Sequence, residues 1–115
     1  MALDVKSNVK VADDVISVIA GIAATGVDGV VSMGEGITFK AMSFIGTNSL
    51  KKGVIIEKSE KTNDLLVKLT VVLKQGVDLK SVCFNIQEKV KEAIESMLDL
   101  KVREVMVRVA KIEED

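Results

Sequence analysis

The 115-residue chain contains no histidine, proline, tryptophan or tyrosine, three phenylalanines and a single cysteine. Each absence removes a class of chemistry. Without histidine there is no Ser-His or Cys-His nucleophilic pair, and the commonest general base and metal ligand are both missing. One cysteine cannot close an internal disulfide, and without histidine partners it cannot complete a structural zinc site. Its scarcity agrees with a reducing compartment. No uninterrupted apolar stretch reaches the roughly 18 residues of a spanning helix. The opening residues, "MALDVKSNVK", lack the apolar core and small-residue cleavage site of a secretory signal, so a cytoplasmic location is expected. An excess of one charge is missing too: 16 Lys and Arg against 17 Asp and Glu leave a net charge of −1, with no whole-chain attraction for nucleic acid or anionic lipid.

What is present is apolar material, 48% of residues with 29% charged, which at this length predicts one globular domain spanning residues 1–115. Leu3, Val5, Val9 and Val11 alternate as in a strand. From Asp13 the period changes to that of a helix, with Val15, Ile16, Ile19, Ile22 and Ala23 on the expected core face. Gly26 is placed to end it in the left-handed conformation. Ser17, Gly21 and Thr25 follow at four-residue spacing, a strip of small side chains that is either a bare surface or the site of a tight helix contact. Val27 to Met33 reads as a short strand, followed by a segment in which Ile37, Ala41, Phe44 and Ile45 share one face of a short helix and Phe39 and Met42 the other.

"GVIIEK" and "DLLVKLTVVLKQG" read as a hairpin around "SEKTND". Leu65, Val67, Leu69, Val71 and Leu73 form its unbroken apolar face, the expected centre of the sheet. Asp78 caps a long helix to about Leu98, with Leu79, Val82, Cys83, Ile86, Val90, Ala93, Ile94 and Met97 as its apolar stripe and Phe84 on the polar side. A final strand, Val102 to Ile112, turns Val105, Val107 and Val109 inward. The order β-α-β-(α)-β-β-α-β predicts an α+β two-layer sandwich, a mixed sheet of three to five strands with helices packed on one face.

The glycines of "IAGIAATGVDGVVSM" invite a phosphate-binding reading. G-I-A-A-T-G has the outer spacing of a P-loop, but Val27 and Asp28 stand where Lys and Ser/Thr are needed, and the residues sit at the negative end of a helix. "GVDG" also matches the G-x-x-G of KH domains, with Lys51 and Lys52 as a candidate basic spot, which keeps a single-stranded RNA-binding module as the alternative function. Asp13 and Asp14 read as helix-start charges, the acidic end as a solvated tail, and Cys83 as a small buried hydrophobe. No catalytic, metal or cofactor residues are identified. Phe39, Met42 and Phe84 are the large apolar residues that the expected core leaves over, and with Ser17, Gly21 and Thr25 they are the candidate contacts for a protein partner.

Taken in order, I-A-x-x-A-A-x-x-V-x-G-V at Ile19 to Val30, K-G-V at Lys52 to Val54, Gly76 between strand and helix, and N-I-Q-E-K-V at Asn85 to Val90 resemble the alkaline shock protein 23 family of Gram-positive bacteria. The resemblance runs from about Asn8 to Ile112. It implies a non-enzymatic cytoplasmic protein linked to cell-envelope stress or to regulation of fatty-acid synthesis, without cofactor, which self-associates. It also implies indirect membrane association through a membrane-bound partner. The short termini resemble the compact housekeeping branch rather than the long-tailed stress branch.

Overall fold

Five alternate residues of one strand, Leu65, Val67, Leu69, Val71 and Leu73, are almost wholly withdrawn from solvent and face two helices. The computed structural model describes residues 11–34 and 53–114. Their order is α1 (Asp13–Thr25), β1 (Val30–Met33), β2 (Val54–Lys58), β3 (Leu65–Lys74), α2 (Leu79–Leu98) and β4 (Val102–Glu113). The expected strand from Leu3 and the short helix around Ile37 to Ile45 lie outside the described residues.

The long strand β3 is central. On one side it pairs antiparallel with β2 through its first half, Lys58↔Leu65 to Val54↔Leu69, and with β1 through its second, Met33↔Val71 to Val30↔Leu73. On its other side β4 runs parallel, from Leu65↔Val102 to Lys74↔Glu113. The result is a four-stranded mixed sheet with α1 and α2 on one face, an α+β arrangement as expected. The hairpin forms where the polar "SEKTND" run lies, with Asn63 adopting a positive φ that Asn tolerates.

The helix α2 starts as its sequence dictates. The Asp78 carboxylate accepts hydrogen bonds from the Ser81 hydroxyl (3.0 Å) and, more weakly, its backbone N–H (3.5 Å). Val82, Ile86, Val90 and Ile94, one turn apart, are its buried row. Leu79 and Met97 fall outside the core although they belong to the predicted stripe, because each projects beyond the end of that row. Near the helix end, the Glu95 side chain accepts from the Val102 N–H at 2.9 Å and ties the start of β4 to α2.

The other helix departs from expectation. Its buried residues are Ile16, Ser17, Ala20, Gly21 and Ala24, so the small strip lies inside while Val15 and Ile22, assigned to the core face, are exposed. The helices α1 and α2 approach with Cα atoms within 8 Å, and Ala23 of α1, Gly26 at its end and Ala93 of α2 line the groove between them. Gly26 ends α1 with right-handed angles (φ −80°), its N–H bonded to Ile22 O at 3.1 Å, rather than in the left-handed conformation. The reversal comes three residues later at Gly29 (φ +101°). A Cβ there would stand 3.0 Å from Val82 Cγ2 and 3.4 Å from Val77 Cγ1, so the turn and the packing against α2 both call for glycine.

Candidate interaction surface

Between Val15 and Val27 the chain carries no charged residue, so α1 is apolar around most of its circumference. A two-layer fold buries one side of such a helix and leaves the other in water. That outer side is where Ile22 lies, 54% exposed. It forms one rim of a shallow groove between the helices, lined by Ile22, Ala23 and Gly26 from α1 and its end, and by Lys89, Glu92, Ala93, Ser96 and Met97 from α2. Met97, 64% exposed, is the apolar residue on the α2 side. The floor is small side chains and the flanks carry one charge of each sign. An apolar partner side chain can fill this groove while Lys89 and Glu92 read the partner's polar edge.

A second groove lies along the start of α2, lined by Leu79, Lys80, Ser81, Cys83, Phe84, Asn85 and Gln87. Phe84 is 58% exposed, on the polar side of the helix where its spacing put it. Cys83 is half-buried, and burial pushes its thiol up from the ordinary cysteine value, which suits a packing role rather than a nucleophile. Among the described residues no three His, Cys, Asp or Glu side chains converge as a metal site.

Of the residues singled out as partner contacts, the structure places Phe84 at the surface and Ser17 and Gly21 in the interior. Thr25 is half-buried and donates its hydroxyl hydrogen bond to Gly21 O at 2.8 Å, within its own helix. Phe39, Met42, Lys51 and Lys52 lie outside the described residues. The "GVDG" run connects a helix to a strand rather than two helices. Just before and after residues 35–52, Gly34 and Gly53 come together beside β3: Gly34 donates to Thr70 O at 2.7 Å and the Thr70 N–H donates to Gly53 O at 2.8 Å. A Cβ on Gly53 (φ +79°) would stand 2.6 Å from Gly34 N, so the two ends of that segment are pinched into one neck.

Ile22 and Met97 were assigned to the core from spacing and are surface residues in the fold. The signal that points to Ile22 is the uncharged run of α1 itself, since a helix apolar on nearly every side cannot bury all of its residues in two layers; Met97, on α2, carries no such signal.

Among the described residues no helix is long and apolar enough to cross a membrane. A model of the alkaline shock protein 23 family, described as having a cell envelope-related function, matches residues 3–114. The chain is 29% identical over 107 residues to the uncharacterized protein YqhY of Bacillus subtilis, covering 93% of this chain and 78% of that one. It is 35% identical over 108 residues to the uncharacterized protein Spy1614 of Streptococcus pyogenes, covering 90% and 86%. A second protein of that organism, the uncharacterized Spy1535, is 34% identical over 95 residues, covering 83% and 70%. No solved structure matches. With the match running through both helices and all four described strands, the chain belongs to the alkaline shock protein 23 family, whose function is cell envelope-related.

Proposed function

We propose that this protein is a non-catalytic interaction protein of cell-envelope homeostasis, which works by docking protein partners on the groove between α1 and α2. One observation carries the reading: Ile22 and Met97, large apolar residues on different helices, stand exposed on opposite rims of one groove with a floor of small side chains. Isolated apolar residues on a surface are ordinary, but paired ones across a concave floor are the anatomy of a contact. The family's envelope-related description supports the setting. In this reading the protein is cytoplasmic and reaches the membrane through a membrane-bound partner, and regulation of fatty-acid synthesis is one output such a partner would carry.

The test is affinity purification from the native cell with the intact protein and with the double variant Ile22→Glu, Met97→Glu. The expected outcome is a defined set of envelope or lipid-synthesis proteins recovered by the first and lost by the second, at unchanged circular dichroism. Recovery of the same set by both variants would refute the groove as the docking site. Tight, salt-sensitive binding of single-stranded RNA, abolished by Lys51→Ala with Lys52→Ala, would replace the reading with the RNA-binding one.

A further inference from the structure

Along α1 and its end, Val15, Ile19, Ile22 and Gly26 recur at spacings of four, three and four, the rhythm that keeps one seam of a helix against another helix. This seam lies on the outer side: Val15, Ile22 and Gly26 are exposed, and Ile19 between them is half-buried. The residues that α1 buries, Ile16, Ser17, Ala20, Gly21 and Ala24, share none of those positions. One apolar face of α1 is therefore turned to its own core and a second outward. At the helical rise the outer seam runs for about 16 Å, roughly three turns. Its Ile22 to Gly26 end opens into the groove whose other rim is Met97.

We infer that this seam holds an amphipathic helix of another protein, running antiparallel to α1, with large apolar residues at three- and four-residue spacing and a Lys or Arg facing Asp28. The inference rests on the docking reading above and names the chemistry of the partner. Spacing makes the occupant a helix, because residues at this rhythm form the holes that receive the side chains of a second helix. Ala23, Gly26 and Ala93 leave the deepest such hole, and the flexible Met97 side chain can close over what enters it. Charge makes the partner cationic. Asp13 opens α1, Asp28 follows its end, and the last turn holds no basic residue, so the negative end of the helix dipole and the Asp28 carboxylate add. A second copy of α1 on this seam would bring Asp28 to Asp28 if parallel and to Asp13 if antiparallel, acid against acid either way. An anionic lipid surface meets the same acids. In the antiparallel direction the partner's positive N-terminal end lies at the negative end of α1.

The experiment places a photoreactive benzophenone amino acid at Val15 or at Ile22 of the full chain in its native cell and maps the joined residues by mass spectrometry, with circular dichroism of each variant as the control for folding. Both positions are expected to join one foreign segment, at residues about seven apart and in reverse order, with apolar residues at helical spacing and a Lys or Arg beyond the residue joined from Ile22. The roughly 10 Å between the two positions spans only about three residues of an extended strand. A separation of about three therefore overturns the helix and leaves the groove as a docking site. Asp28→Lys, a change the α1 dipole favours, should lower the yield from Ile22 by roughly fivefold or more, and replacing the facing Lys or Arg of the partner by Glu should restore it. A yield indifferent to Asp28→Lys overturns the inference. So do adducts with lipid, with a second copy, or with residues 1–10 or 35–52 of the same chain, and if no foreign protein is joined the docking reading falls with it.

Discussion

The two helices of this fold obey different rules although they lie side by side. In α2 the apolar stripe is set off by charged residues, so spacing and burial agree along its middle: Val82, Ile86, Val90 and Ile94 are inside, and Leu79 and Met97 at the two ends of the stripe are exposed. In α1 nearly every position is apolar or small, so spacing discriminates nothing, and fit decides instead. Ile16 is completely buried and Ile22 is half-exposed, identical side chains six residues apart in one helix. The inner positions beyond Ile16 go to Ser17, Ala20, Gly21 and Ala24, all of them small. Hydrophobicity ranks residues for burial only where the chain offers a polar alternative; where it does not, volume does the sorting.

This contrast is open to attack from several sides. The largest effect is expected in the helix where pattern and burial agree: Ile86→Ala should cost about 2–5 kcal/mol of unfolding free energy, read from urea denaturation. A volume increase on the inner side of α1 comes next. Ala20→Leu adds a residue the core would welcome by hydrophobicity alone, yet should destabilise by about 1–3 kcal/mol because its site has no room. At the start of α2, Asp78→Ala removes the side-chain cap and should cost about 1 kcal/mol. The smallest effect belongs to the surface: Phe84→Ala should change stability by less than about 0.5 kcal/mol, since its ring is more than half in water.

Much of the fold was legible because α2 and β3 are unambiguous. Alternating Leu65 to Leu73 named the central strand, Asp78 named a helix start, and the polar "SEKTND" run named the hairpin turn. The parallel pairing of β4 with β3 fits the helix between them, since parallel neighbours need a crossover of a dozen or more residues. The α1 face was not legible, since Ile22 and Ala24 stand in one uncharged run and only the way the helix lies on the rest of the fold decides which of them is inside. Gly29 reads from the sequence as a place where packing or a bend excludes a side chain, and Val82 and Val77, more than forty-five residues on, supply that packing; the left-handed conformation expected at Gly26 falls at Gly29 instead, since both glycines are permissive and no local pattern chooses between them. Of the candidate site, Phe84 was readable because it stands among charges. Ile22 and Met97 were not, being apolar residues at helical spacing whose exposure is set by where the second layer ends.

Paired alanine substitutions within α1 test the central claim most directly. Equilibrium denaturation of Ile16→Ala and Ile22→Ala compares the same chemical deletion at two points of one helix. The account predicts a loss of about 2–5 kcal/mol for the first and less than about 0.5 kcal/mol for the second. Equal losses, or a larger one at Ile22, would put Ile22 in the core and remove the groove it borders.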